Sequence, residues 1–337
     1  MKKKINLGFV GAGNIYSKHF QAVNKLKNIK ILSIADPNNI EKSKSINFYK
    51  AANIMLKKEK KLDIVSILTP SGRHYKDIVD SLKYKKNIIV EKPICLKISD
   101  LNKILNLNKK YKKEIFVVFQ QRLNKYILEL KKIIKKRELG NIFLVSSKLY
   151  WSRNKNYYSK SKWRGSWKFD GGVVSNQGIH NLDLMIWLFG DIKSVYAIGK
   201  NFYKFQECED TAIITITFKT GVLCSMEFTT NCVPNNLENS LTVLGSKGYV
   251  KITGKNLDDK FLTNLNFKNL EKTENTSLHA KFYHKVLDTL LYKKKNEFSA
   301  ESAKSSLELL TAIYKSIELN KEIKIPLGKN TITKLGY

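Results

Sequence analysis

The chain has 337 residues, 42% of them hydrophobic and 27% charged, an ordinary globular composition with enough length for about two domains. This excludes wholesale disorder, a collagen-like repeat and a disulfide scaffold, and no apolar run reaches the roughly 18 to 20 residues that span a bilayer. The net charge of +32 invites a nucleic-acid or anionic-membrane reading, but only Arg73, Arg122, Arg137, Arg153 and Arg164 are arginines; Arg is the residue favoured for bidentate contact with phosphates and base edges, so the lysine excess reads as solvated faces under a compositional bias, with no nucleic acid and no membrane as partner.

From Ile5 to about Gln121 short apolar runs alternate with amphipathic stretches of helical length. The runs are Ile5–Val10, Ile29–Ala35, Ile64–Leu68, Asn87–Val90 and Ile115–Phe119. Short strands apolar on both faces suit a parallel sheet buried between helix layers, so residues 1–121 read as a doubly wound α/β (Rossmann) domain. The basic start followed by Ile5–Val10 imitates a signal peptide, but Gly11 breaks the run after six residues, too short for its apolar region, and the cytoplasm is the expected compartment.

Residues 122–337 change character. A basic helix, Lys125–Arg137, stops at Gly140, and period-two strands follow at Ile142–Trp151, Val195–Gly199, Thr211–Phe218, Val222–Thr229, Leu241–Leu244 and Tyr249–Ile252. Thr220-Gly221 and Gly245–Gly248 mark turns. One long helix is expected over Val174–Phe189, and two more over His279–Lys293 and Glu301–Leu319. The second domain is therefore an α+β unit with a large open, mostly antiparallel sheet, whose uncovered apolar face suggests a homodimer or homotetramer. Cys95, Cys208, Cys224 and Cys232 show no C-x-x-C pair and no zinc-like spacing; they read as reduced thiols, and no metal is expected.

Gly11-Ala12-Gly13-Asn14-Ile15-Tyr16 follows a strand and opens a helix. Gly11 permits a tight turn, and Gly13 lets the backbone approach a pyrophosphate at the helix N-terminus. Asp36, about 20 residues on, stands where the adenine ribose hydroxyls need an acceptor, and its charge favours NAD over NADP; Lys42 and Lys44 nearby leave NADP open. Glu91-Lys92-Pro93 sets Lys92 at the carboxyl edge of the sheet, a position for a general acid or base or for one more surface lysine. Pro93 fixes the turn there, through either peptide isomer. On the long helix Asn176 and His180 stand at i and i+4, with Asp183 one turn beyond to orient the imidazole and the pair Gly171-Gly172 giving a ligand access to the backbone.

These motifs, with Thr69-Pro70-Ser71-Gly72-Arg73-His74, resemble the Gfo/Idh/MocA oxidoreductase family over essentially the whole chain. Phe119–Asn124, Trp151-Ser152-Arg153, Tyr157-Tyr158, Trp163–Trp167 and Asn176-Gln177 are similar to a narrower group, the bacterial UDP-N-acetylglucosaminuronic acid 3-dehydrogenases of lipopolysaccharide sugar synthesis. The resemblance implies NAD bound by Gly11, Gly13, Asn14, Ile15, Asp36, Thr69, Pro70, His74, Glu91, Lys92 and Gln120. It implies a UDP-sugar held by Lys92, Arg122, Asn124, Arg164, Asn176, Gln177 and His180, with Lys92 and His180 as catalytic acid and base. Arg164 is the residue for the uronate carboxylate or a sheet-surface arginine, and Trp163 and Trp167 line the pocket or fill the core. A 2-oxo acid that reoxidises NADH in place is allowed. A dehydrogenase of UDP-N-acetylglucosamine, a sugar or inositol dehydrogenase, and a non-catalytic NAD-binding sensor or scaffold are the alternatives. The sequence departs from the pattern at Tyr16, where a small residue is usual, at Asn176, where the broader family carries Asp, and at Asn154-Lys155-Asn156.

Overall fold

The computed structural model describes residues 4–38, 45–266, 277–328 and 331–337. It divides into two compact units, Met1–Gln120 with Thr276–Lys304, and Gln121–Asn275 with Ser305–Tyr337. A single cut at residue 121 therefore misplaces one segment. The helix Leu278–Tyr292 belongs to the first unit because its apolar face, including Phe282, Tyr283 and Val286, is buried there against the helix Tyr16–Asn24.

In that unit the elements are β1 (Ile5–Val10), α1 (Tyr16–Asn24), β2 (Ile29–Ala35), β3 (Asn47–Tyr49), α2 (Ala52–Lys58), β4 (Ile64–Ile67), α3 (Ser71–Lys83), β5 (Asn87–Val90), α4 (Ile98–Tyr111) and β6 (Ile115–Val117). All five strand pairings are parallel, in the order β3-β2-β1-β4-β5-β6. Leu7, Val65, Ile67, Ile88 and Val117 lie at the centre with no exposed surface, which is why these strands read as unbroken apolar runs. Strand β3, only three residues long and at the sheet edge, gave no such signal.

The second unit holds α5 (Lys125–Lys135), β7 (Ile142–Tyr150), α6 (Lys155–Ser159), α7 (Val173–Asn176), α8 (Ile179–Phe189), β8 (Ile192–Lys200), β9 (Thr211–Phe218), β10 (Leu223–Thr229), β11 (Glu238–Gly245), β12 (Gly248–Thr253) and β13 (Lys260–Thr263). The first unit's α9 (Leu278–Tyr292) follows, and α10 (Lys304–Leu319) and β14 (Ile323–Lys324) end the chain. The eight strands run β13-β12-β11-β7-β10-β9-β8-β14, antiparallel throughout except for β7 beside β10. Helix α8 lies on one face, tied to β7 by Asn181 Nδ2 donating to Ser147 Oγ at 2.9 Å, while Ile198, Ile213 and Leu223 are exposed.

The helix expected over Val174–Phe189 is two helices. At Gly178 the ladder slips, its N–H donating to the Val173 carbonyl, and a Cβ there would stand 2.6 Å from the Phe228 ring. The strand packs so close that only glycine fits, and α8 restarts after it. The glycine pair before α7 also serves packing rather than ligand access. A Cβ on Gly172 would stand 2.2 Å from the Glu209 carboxylate, whose Oε1 accepts from Val174 N–H at 3.1 Å and from Tyr314 Oη at 3.0 Å. Asp183 does not face His180. It forms a buried two-point pair with Arg122, Nε to Oδ2 at 2.7 Å and Nη2 to Oδ1 at 2.5 Å, and also accepts from Ser306 Oγ at 2.8 Å.

Two measurements check this assignment. Arg122→Met should lower unfolding free energy by roughly 3 to 5 kcal/mol in urea, because it strands a buried carboxylate, and Arg122→Met with Asp183→Leu should recover most of it. An unaltered single variant would contradict the structural role. Burial pushes the Glu209 carboxyl up to about 7 against a usual 4.5, with the Val174 and Tyr314 hydrogen bonds pulling it down. A folded pKa above the unfolded one stabilises below 4.5 and is lost as pH rises through about 7. The stability advantage of Glu209→Gln over the wild type should accordingly grow by up to ~3 kcal/mol between pH 5 and 8; a pH-independent difference would contradict it.

Candidate functional site

In the first unit the turn after β1 has Gly11 at φ +93, where a Cβ would come 2.9 Å from the Leu68 backbone, so glycine is required. Gly13 has nothing within 4 Å of a Cβ position; this open side is where a pyrophosphate would reach the backbone. Asn14 is exposed beside it and Ile15 precedes the first turn of α1. Tyr16 takes the place of a small residue by laying its ring edge-on to Phe9 of β1, centroids 5.2 Å apart. Asp36 accepts from Ala12 N–H at 2.7 Å and Asn38 N–H at 2.9 Å, which fixes it beside the glycine turn with a lone pair left on each oxygen for ribose hydroxyls. Lys42 and Lys44 lie outside the described residues. Gln120 carries a buried Oε1 without a hydrogen-bond partner, an acceptor suited to a carboxamide N–H. Together these groups fit a nicotinamide dinucleotide.

Three residues expected at the cofactor have their polar atoms engaged inside the protein. Thr69 Oγ1 donates to Asp77 Oδ2 at 2.7 Å. His74 is buried with Nδ1 2.8 Å from the Pro93 carbonyl and Nε2 2.8 Å from the Thr69 carbonyl, linking the turn that bears Pro70 to the turn that bears Lys92. Burial pushes its pKa down, against the pull of the two carbonyls, Asp77 and Glu91. Glu91 turns inward, Oε1 2.9 Å from His19 Nε2 and Oε2 accepting Lys92 N–H at 3.2 Å. Lys92 itself is half-buried, and its peptide bond to Pro93 is cis.

In the second unit Asp170 is the hub. Its carboxylate accepts from Asn176 Nδ2 at 2.6 Å and from Gly165 N–H at 2.9 Å, and its carbonyl accepts from Ser175 Oγ at 2.7 Å. The loop Trp163–Trp167 is thus coupled to the helix that leads to His180, and a partner carboxylate accounts for an amide at 176. His180 is half-buried at the first turn of α8; Gln177 is buried at the slip before it. Arg164 donates Nη1 to Tyr157 Oη and lies over the Tyr157 and Trp163 rings at 4.3 and 4.6 Å. Burial raises the Tyr157 pKa. Trp167 packs edge-on to Tyr314. Asn154 caps α6 by accepting Tyr157 N–H at 3.2 Å, so the departure at 154–156 builds a helix start.

Two expected sugar ligands have structural partners. Arg122 is paired with Asp183, and Asn124 caps α5 through Tyr126 N–H at 2.9 Å while its Nδ2 donates to the Asn256 and Leu257 carbonyls. Sequence reasoning missed Asp170, His19 and Glu209. Asp170 stands immediately before the glycine pair, a signal within reach; nothing local marks the other two.

Residues 5–119 match the oxidoreductase family with an NAD-binding Rossmann fold, and residues 127–251 match the GFO/IDH/MocA C-terminal domain. The chain is similar to the WlbA dehydrogenase of Bordetella pertussis, solved with NADH and UDP-GlcNAcA, at 29% identity and a TM-score of 0.89 over 97% of this chain and 100% of that one. The WlbA dehydrogenase from Chromobacterium violaceum, also solved with NADH and UDP-GlcNAcA, gives 29% identity and 0.89 over 97% and 98%. The uncharacterized oxidoreductase YrbE of Bacillus subtilis is 25% identical over 260 residues, 74% of this chain and 73% of that protein. Among the described residues no helix is long and apolar enough to cross a membrane. The glycine turn, the acceptor at the end of β2 and the paired domain matches lead to one conclusion: the chain belongs to the Gfo/Idh/MocA family of NAD-dependent oxidoreductases that act on CH–OH groups.

Proposed function

We propose that the protein oxidises the C3 hydroxyl of UDP-N-acetylglucosaminuronate to the 3-keto sugar. The observation that carries this reading is the coupled set Asp170, Asn176, Gly165 and Arg164 in the second unit, together with the likeness to two dehydrogenases solved with that sugar nucleotide. Arg164 offers a planar fork of donors beside exposed loop, stiffened by two aromatic rings, which suits a uronate carboxylate. Asn176, held by Asp170, contributes an amide that orients a hydroxyl but cannot take its proton.

The hydroxyl proton is assigned to Lys92 or His180, each of which must come within about 3 Å of the reacting oxygen in the complex. NAD, when bound, supplies the hydride acceptor. Gly13, Asp36 and Gln120 hold the pyrophosphate, ribose and carboxamide. Arg122 and Asn124 are left out of the sugar site, since Arg122 Nε and Nη2 are paired with Asp183 and the Asn124 amide donates to two backbone carbonyls. The sheet face that exposes Ile198, Ile213 and Leu223 is where a second copy of the chain would pack. The neighbouring readings, UDP-N-acetylglucosamine or an inositol as substrate, differ chiefly in lacking the carboxylate that Arg164 would bind.

Incubation with NAD and each substrate, followed by absorbance of the reduced cofactor, should show turnover with UDP-N-acetylglucosaminuronate at least tenfold above UDP-N-acetylglucosamine and myo-inositol. Turnover of the neutral sugars alone would replace the uronate assignment. Lys92→Ala should cut kcat by about 100-fold or more, in keeping with lost acid–base assistance, while NAD affinity by calorimetry stays within a few fold. Full activity in that variant would remove the lysine from the chemistry.

A further inference from the structure

Beneath Lys92 the first unit contains a buried polar chain that the cofactor and sugar do not account for. His19 of α1, with no exposed surface, lies between Glu91 and Tyr283: its Nε2 is 2.9 Å from Glu91 Oε1 and its Nδ1 is 2.9 Å from Tyr283 Oη. Tyr283 of α9 is 3.2 Å from Ser66 Oγ of β4. The far oxygen of Glu91 accepts the backbone N–H of Lys92 at 3.2 Å. His279, also on α9, meets His19 edge-on with centroids 4.9 Å apart.

The polarity of this chain follows from its chemistry. Burial alone would raise the Glu91 pKa, but the hydrogen bond from His19 and the positive charge of Lys92 hold it well below the usual carboxylate range. An ionised carboxylate only accepts, so His19 Nε2 carries the proton between them. Burial pushes the Tyr283 hydroxyl up, so it stays protonated and able to donate to His19 Nδ1. Burial lowers His279 to about 4, which keeps that ring neutral and out of competition for Glu91. Donors from both directions thus end on one carboxylate, and that carboxylate grips the peptide of Lys92. Buried polar chains of this kind are costly unless fully satisfied, and when satisfied they specify a single geometry.

We propose that His19, Tyr283 and Glu91 form a positioning relay for Lys92: helix α9 returns to the first unit to brace His19, His19 fixes the Glu91 carboxylate, and Glu91 aims the lysine. This rests on the reading above in which Lys92 handles the substrate proton. His19, Glu91 and His279 also offer metal-ligating atoms within 4.8 Å of one another. Ligation would need the lone pair on His19 Nε2, which the 2.9 Å bond to Glu91 replaces with a proton, so the relay and a metal are mutually exclusive.

The test uses the full chain with His19→Ala, His19→Gln and Tyr283→Phe. Hydrogen exchange at the Lys92 amide needs no substrate and should quicken about tenfold or more in His19→Ala. With NAD and the sugar nucleotide, kcat should fall about 10- to 100-fold in His19→Ala, by the logic of a slightly misplaced catalytic group, with KM and NAD affinity within about threefold. His19→Gln, which keeps one donor and one acceptor, should recover most of the loss, and Tyr283→Phe should fall between. The relay is overturned by wild-type kcat in folded His19→Ala, by no recovery in His19→Gln, or by one zinc per chain in elemental analysis of the purified protein. If no sugar nucleotide is turned over by the wild type, the substrate reading fails by itself, and the amide exchange still decides the relay: quickened in His19→Ala it stands, unchanged it falls.

Discussion

The turns at the carboxyl ends of β4 and β5 depend on side chains that arrive from elsewhere. A parallel sheet ends in backbone groups that its own strands do not satisfy, and these ends are where ligands bind. His74 spans the two turns with a ring nitrogen 2.8 Å from a carbonyl on each, and Glu91 takes the N–H that follows β5. Residues that a motif assigns to the cofactor here hold the turns that bear Pro70 and Lys92. Gly13 has open space and Gln120 a buried acceptor without a partner, whereas Thr69 Oγ1, both ring nitrogens of His74 and both oxygens of Glu91 have partners within the protein.

The second unit uses the same economy of buried acceptors. Glu209 receives the start of α7 and Asp170 receives both Asn176 and Gly165, so two carboxylates set the path of the chain from the tryptophan loop to His180. Gly172 and Gly178 are small because Glu209 and Phe228 occupy the space a side chain would need. Arg122 and Asp183 neutralise each other out of water, which joins the turn before α5 to α8 and α10 through Ser306. An arginine in such a pair contributes rigidity, since removing either partner would leave the other charge buried and unpaired.

The parallel strands were legible because burial on both faces leaves an uninterrupted apolar run, and the antiparallel ones because burial on one face leaves alternation. Thus Ile5–Val10, Ile29–Ala35, Asn87–Val90 and Thr211–Phe218 stand as read. The glycine turn and Asp36 were legible for a different reason: their chemistry acts at fixed spacing along one βαβ unit. Strands β3, β13 and β14 were not, being two to four residues long and paired at sheet edges where little burial marks them.

The sequence by itself determined the family, the two classes of sheet, the dinucleotide turn and the presence of Lys92 and His180, all of which rest on local spacing or on periodic burial. Only the tertiary structure decided which polar residues face outward. Arg122 meets Asp183 across 61 positions, and His19 meets Glu91 across 72 and Tyr283 across 264. No local pattern encodes such a pairing, because a buried charge or imidazole finds its partner only once the chain has folded and water has been excluded from around it.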